Sequence, residues 1–201
     1  MWYNPIHPHL SPGKVMTIVI TCIALVMFSA LLGDCSNANP SKNELKIILL
    51  RHGEKPEDGN NLSCQGFNRS LKLADILYSR YGIPDCVYVP TPGVGPNTKN
   101  CRMLETILPF AIKYNLKINT VYGVDATDAL IQDVKNQTGT VFIIWEHSQL
   151  PVIAKGLGVR DVLLNWDAED YDTVWIIRIK KGNATFSVEK ENIAPSANCP
   201  F

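Results

Sequence analysis

The chain has no excess of charge of either sign, because 19 Lys and Arg stand against 19 Asp and Glu. That balance argues against a basic nucleic-acid surface and against an acidic disordered tail. Histidine is scarce, at four residues, and no two of the six cysteines have zinc-knuckle spacing. A structural zinc site is therefore not expected. No internal repeat or low-complexity stretch is present, which sets aside solenoids and linker-like chains. Long apolar runs are rare too, with one exception near the start.

That exception is residues 15–32, eighteen positions without a charge, preceded by Lys14 and followed by Asp34. The length suits a short membrane-spanning helix and slightly exceeds the apolar core of most signal peptides. The flanking charges favour an inside amino terminus with the rest exported. Small residues at Ser36 and Ala38 permit cleavage, whereas Asp34 stands where lipidation of Cys35 would need a small residue. Residues 1–38 are thus read as a signal peptide or a membrane anchor, and 39–44 as a linker. The expected location is exported, either anchored or secreted into a periplasm or beyond. Outside the cytoplasm Cys35, Cys64, Cys86, Cys101 and Cys199 could pair, and cleavage after Ala38 would leave an even four. The pairing itself stays open. Residues 191–201 read as an irregular tail unless a disulfide pins Cys199. Asn61, Asn68, Asn136 and Asn183 each begin an Asn-x-Ser/Thr sequon.

The remaining body, residues 45–190, alternates strand-like and helix-like patterns. Strands are expected at 45–50, 86–89 and 141–145, and a hairpin at 172–180 and 185–188 around Lys181-Gly182-Asn183. Helices are expected at 66–81, 100–114, 125–135 and 150–157, with Pro109 kinking or splitting the second. The fold class is α/β, a three-layer α/β/α sandwich with a mixed, mostly parallel sheet, preceded by an N-terminal hydrophobic helix.

Two strands run straight into histidine. Leu49-Leu50-Arg51-His52-Gly53-Glu54 ends the first, and Trp145-Glu146-His147-Ser148 ends the strand at 141–145. Carboxyl ends of strands are where open α/β sheets bind ligands. Between them Arg102 opens a helix after another strand, and helix amino termini favour anions. Imidazole can attack phosphorus, and guanidinium offers a planar fork of donors to its oxygens. Each residue alone has a plainer reading, His as a structural hydrogen-bonder and Arg as a solvated charge. Their joint placement at successive strand–helix junctions points to a phosphoryl site.

These motifs resemble the histidine phosphatase superfamily, the phosphoglycerate mutase-like fold, in its compact bacterial form. Leu50-Arg51-His52-Gly53-Glu54-Lys55-Pro56 resembles its signature, and Leu62-Ser63-x-x-Gly66-x-x-Arg69 the helix start that follows. Arg102 falls on the second phosphate-pocket arginine, and Trp166-Asp167-x-x-Asp170-Tyr171-Asp172-x-Val174-Trp175 resembles the final strand of small bacterial members. The resemblance implies a metal-independent phosphatase of phosphomonoesters or phosphohistidine, with no cofactor, acting through a phosphohistidine on His52. Arg51, Arg102 and protonated His147 would surround the phosphoryl oxygens, and Arg69 would be a neighbouring structural or substrate-binding charge. Asp125 is the candidate proton donor, with Glu54, Glu105 and Asp128 as other carboxylates at hand. The implied partner is a small phosphorylated substrate, with the membrane a second partner if 15–32 is uncleaved, and nucleic acid is not one. Departures from the pattern are Glu146 in place of a common glycine, Ser148 in place of an acid, and residues 91–99, which lack the usual wording. A non-catalytic phosphate-binding module of the same fold is the alternative, and a mutase a more distant one because the body is short.

Overall fold

In the computed structural model, which describes residues 44–93, 100–160 and 164–200, the first apolar run forms β1, Glu44–Arg51. Residues 15–32, and with them the expected N-terminal helix, lie outside the described residues. Among the described residues no helix is long and apolar enough to cross a membrane. The order continues with α1 (Cys64–Tyr81), β2 (Cys86–Tyr88), α2 (Cys101–Tyr114) and α3 (Thr127–Lys135). It ends with β3 (Gly139–Trp145), α4 (Leu150–Gly156), β4 (Thr173–Lys180) and β5 (Asn183–Lys190).

The five strands lie in the order β2-β3-β1-β4-β5. The β2–β3 and β3–β1 ladders are parallel, and the β1–β4 and β4–β5 ladders antiparallel. The sheet is mixed, as expected, though parallel and antiparallel ladders are equal in number; only β4 runs against the other strands. Continuous apolar runs in β1 and β3 are buried on both faces, as strands covered on two sides must be. Ile48, Leu50, Phe142, Ile144, Val174 and Ile176 pack against Leu73 and Leu77 of α1 and Met103, Ile107 and Phe110 of α2. Side chains of the other parity, Ile47, Leu49, Val141, Ile143 and Trp145, are fully buried as well. On that side Tyr88 donates its hydroxyl to Asp133 of α3 at 2.9 Å. Each such aliphatic side chain contributes about 1.5–3 kcal/mol.

Differences from the expected boundaries have local causes. Helix α1 begins at Cys64 rather than 66, because Ser63 caps it by accepting from Gly66 N. Helix α3 begins at Thr127 rather than 125, since residues 124 and 125 form a turn. Pro109 does not split α2. The hairpin loop is only Lys181-Gly182, both with positive φ (50° and 78°), and Asn183 already pairs with Lys180. That left-handed pair fits a tight two-residue hairpin turn.

A disulfide joins Cys64 to Cys199. Asn68 Nδ2 adds bonds to the carbonyls of Ser196 (2.9 Å) and Asn198 (2.7 Å), and Lys72 Nζ one to Ala194. The tail is therefore laid along α1, with Ile193 in the core and Glu191 buried. Closing a loop with a sequence separation of 135 restricts the unfolded chain strongly. Cys199→Ser is expected to cost about 2–4 kcal/mol, read as a lower urea midpoint that a reductant does not lower further. An unchanged midpoint would contradict this.

Candidate active site

Because β1 and β3 are parallel neighbours with Arg51 opposite Trp145, both histidine turns leave the sheet at one edge. The His52 backbone N–H still donates to the Trp145 carbonyl at 3.3 Å. The turn after Arg51 is gripped from two sides. Gly53 N donates to Thr106 Oγ1 at 2.8 Å, and that hydroxyl donates to Arg102 O at 2.7 Å. Ser63 gives its N–H and its hydroxyl to Glu54 O, at 2.9 and 3.1 Å. At Gly66 a Cβ would collide with the Glu54 backbone, so only glycine lets α1 pack this closely.

His52 is 2 % exposed, and its Nδ1 lies 2.7 Å from the carbonyl of Gly53. A carbonyl only accepts, so Nδ1 carries the proton and Nε2 holds the lone pair. Burial, followed by the charges of Arg51 and Arg102, pushes the imidazole down to about 3 against the opposing hydrogen bond to the Gly53 carbonyl. It is a neutral ring at neutral pH, the form a nucleophile requires.

The cations beside it are oriented by backbone. Arg51, 3 % exposed, gives Nη1 to the carbonyls of Asp167 (3.4 Å), Asp170 (3.3 Å) and Ala168. Its guanidinium lies over the Tyr171 ring, Cζ 3.8 Å from the centroid. Arg102, in the first turn of α2, gives Nη1 to Gly59 O at 3.1 Å. His147 Nδ1 lies 3.1 Å from Glu146 Oε1, within range for charge attraction but off the line of a hydrogen bond. Glu146 in turn accepts from the Ser148 hydroxyl. Burial and the charge of Arg51 hold His147 below its ordinary value against the opposing pull of Glu146. That direction favours the neutral ring at neutral pH over the cation expected from the sequence.

Among the described residues, the buried side-chain N and O atoms without a hydrogen-bond partner are Arg51 Nε, Arg102 Nε and His147 Nδ1. Unsatisfied buried groups are costly and uncommon, so the Nε groups of Arg51 and Arg102, both charges that act on His52, call for a partner from outside. An anion with several acceptor oxygens supplies one. Among the described residues no group of three or more His, Cys, Asp or Glu is placed to hold a metal ion.

The other residues read from the sequence are less closely gathered. Asp125 is exposed on a turn fastened to the end of β3, where Trp145 Nε1 donates to Val124 O at 2.9 Å. The carboxylates whose charges act most on His147 are Glu146 and Glu169, not Asp125. Glu105 accepts from Leu62 N. The substrate-binding reading of Arg69 meets a guanidinium already engaged, bonded to Glu54 at 2.8–3.1 Å and to Glu191 at 2.6 Å. Residues 94–99 of the loop before Arg102 lie outside the described residues. Tyr171 was legible only as part of a family-like segment; its place against Arg51 follows from β4, whose start lies beside the end of β1 (Leu50 opposite Val174).

No protein-family model matches the chain, and no curated protein sequence does either. Solved structures do. The protein histidine phosphatase SixA, complexed with tungstate, is 17 % identical with a TM-score of 0.53, covering 73 % of this chain and 97 % of its own. A putative phosphohistidine phosphatase SixA from Agrobacterium tumefaciens is 15 % identical with a TM-score of 0.51, covering 75 % of this chain and 97 % of its own. A phosphoserine phosphatase from Entamoeba histolytica, with phosphoserine, is 12 % identical with a TM-score of 0.50, covering 74 % and 98 %. With the strand order and the paired histidine turns, these likenesses give the chain the fold of the histidine phosphatase superfamily.

Proposed function

We propose that the protein hydrolyses phosphomonoesters or phosphohistidine, without a metal, through a covalent phosphohistidine on His52. The observation that carries this reading is the pair of unpartnered buried Nε groups on Arg51 and Arg102 beside a neutral imidazole. Nε2 of His52 attacks phosphorus and the bond to the leaving group breaks. Water then attacks the phosphohistidine, releasing orthophosphate and returning the free ring. Arg51, Arg102 and His147 meet the equatorial oxygens, where phosphoryl transfer gains most of its stabilisation. Asp125 is our candidate donor to a leaving oxygen, since no described hydrogen bond or ion pair engages its carboxylate. A phosphoramidate needs less such help. Arg69 is assigned to holding Glu54 rather than to substrate. The Cys64–Cys199 disulfide supports an oxidising compartment, in keeping with residues 15–32 as an export signal or anchor.

The test is rapid quenching of the full chain with a radiolabelled phosphoryl donor and a chelator. Label should appear on the protein in an alkali-stable, acid-labile bond, and be missing in His52→Ala. If phosphate binds but no label and no turnover appear, a non-catalytic anion-binding module is the better account.

Binding should also move a proton. A bound dianion offsets the Arg51 charge that holds His147 down, so its pKa rises and a proton is taken up. Calorimetry with sulfate at pH 7, in buffers of different ionisation enthalpy, should show uptake that His147→Gln abolishes. Equal uptake in both proteins would contradict the assignment.

A further inference from the structure

We propose that Tyr171 is a positioning residue that, with the carbonyls of Asp167, Ala168 and Asp170, clamps Arg51 so that its Nε edge faces the phosphoryl group. This rests on the anion site described above, not on turnover. The clamp is built rather than incidental. Asp170 N donates to Asp167 O at 3.1 Å, closing the turn, and Glu169 N donates to Asp167 Oδ1 at 2.8 Å. Trp166 Nε1 holds Asp170 O at 2.9 Å, and Trp166 itself packs on Trp175 of β4 at 4.7 Å between ring centroids. The Asp170 carboxylate accepts from the Asp172 and Thr173 N–H groups at 2.9 and 3.0 Å, from the Thr173 hydroxyl, and from Lys190. The bonds within 166–172 close the turn, and those to Thr173 and Lys190 fix it to β4 and β5.

The turn delivers converging carbonyls to one end of the guanidinium and an aromatic face to its plane. Those contacts occupy Nη1 and leave Nε without a partner, so rotation that would hide Nε is opposed on two sides. Tyr171 is also a wall of a polar cavity of about 450 Å³ that Lys55, Gln65 and Glu169 share. The ring lies on a guanidinium only 3 % exposed, and a cation–π contact is strongest where the cation is desolvated. The His52 ring is farther off, at 6.1 Å between centroids, so Tyr171 acts through Arg51.

The test measures orthophosphate affinity of the full chain by calorimetry. Tyr171→Leu should weaken binding on the order of tenfold, and Tyr171→Phe should recover most of that loss. In an Arg51→Ala background Tyr171→Leu should weaken it no further. Should Tyr171→Leu fail to fold, phenylalanines with increasing ring fluorination at position 171 keep the shape while draining the π face, and affinity should fall stepwise. Unchanged affinity across that series, or an undiminished loss in the Arg51→Ala background, would overturn the clamp. Where wild type turns over but position 171 has no effect, the clamp alone falls. Where phosphate binding depends on Tyr171 but no turnover occurs, the hydrolase reading falls and the clamp stands.

Discussion

Arg69→Met is expected to destabilise the body by about 3–5 kcal/mol, the cost of removing one partner from a buried ion network. Arg69 lies between the Glu54 carboxylate at 2.8 Å and the Glu191 carboxylate at 2.6 Å, with Asp172 at 3.6 Å. Glu191 is 1 % exposed, and burial outweighs the pull of Arg69, pushing its carboxyl up to about 7. A carboxyl with a raised folded value favours the folded state most at low pH. That contribution is fully present below its ordinary value near 4.5 and is lost as pH rises to about 7. Without Arg69 the buried Glu191 carboxyl rises further, so the variant's deficit should be larger at pH 8 than at pH 6. Urea midpoints at the two values test this. A deficit below about 1 kcal/mol at both would mean that the network is solvated rather than buried.

His52→Ala should lower kcat for an aryl phosphate by on the order of 10⁴–10⁶-fold, as loss of a covalent nucleophile does elsewhere. Binding should survive, because Arg51 and Arg102 are held by contacts of their own, to the carbonyls of Asp167, Ala168 and Asp170 and of Gly59. Removing an imidazole held neutral at this site takes no positive charge away at pH 7, so phosphate affinity should change by less than about threefold. A fall in affinity without a fall in kcat would reverse the assigned roles. With its pKa near 3, His52 stays neutral through pH 5. An acid limb of kcat above that pH would therefore report another group. The same depressed value means that stability held above 6.5 is lost as the medium is acidified toward 3.

Much of this was legible in the residues. The continuous apolar runs ending at Leu50 and Trp145 read as buried strands, and strands that end in Arg-His-Gly and Glu-His-Ser announce a polar edge. Arg69 was not decidable, because its partners Glu54 and Glu191 are 15 and 122 residues away. Residues 191–201 looked irregular because their fixing bonds come from Asn68, Arg69, Lys72 and Cys64 rather than from any pattern of their own. The role of Tyr171 depends on β4 running against β1, a direction that hydrophobic spacing does not encode.

The central strand sets an order of events for a chain made amino terminus first. In β1, Leu45 is hydrogen-bonded beside Gly139 on one flank and Ile179 on the other, so it waits for chain made long afterwards. Such distant pairings make for slow folding. His52 thus emerges early as an ordinary solvated imidazole. Only when β3 and the turn before β4 arrive do the surrounding charges and burial come to bear on the ring, and the Cys64–Cys199 bond joins residues made at widely separated times. In a chain that stops short of β4, the His52 ring has not yet met all the burial and charge that set it in the completed sheet.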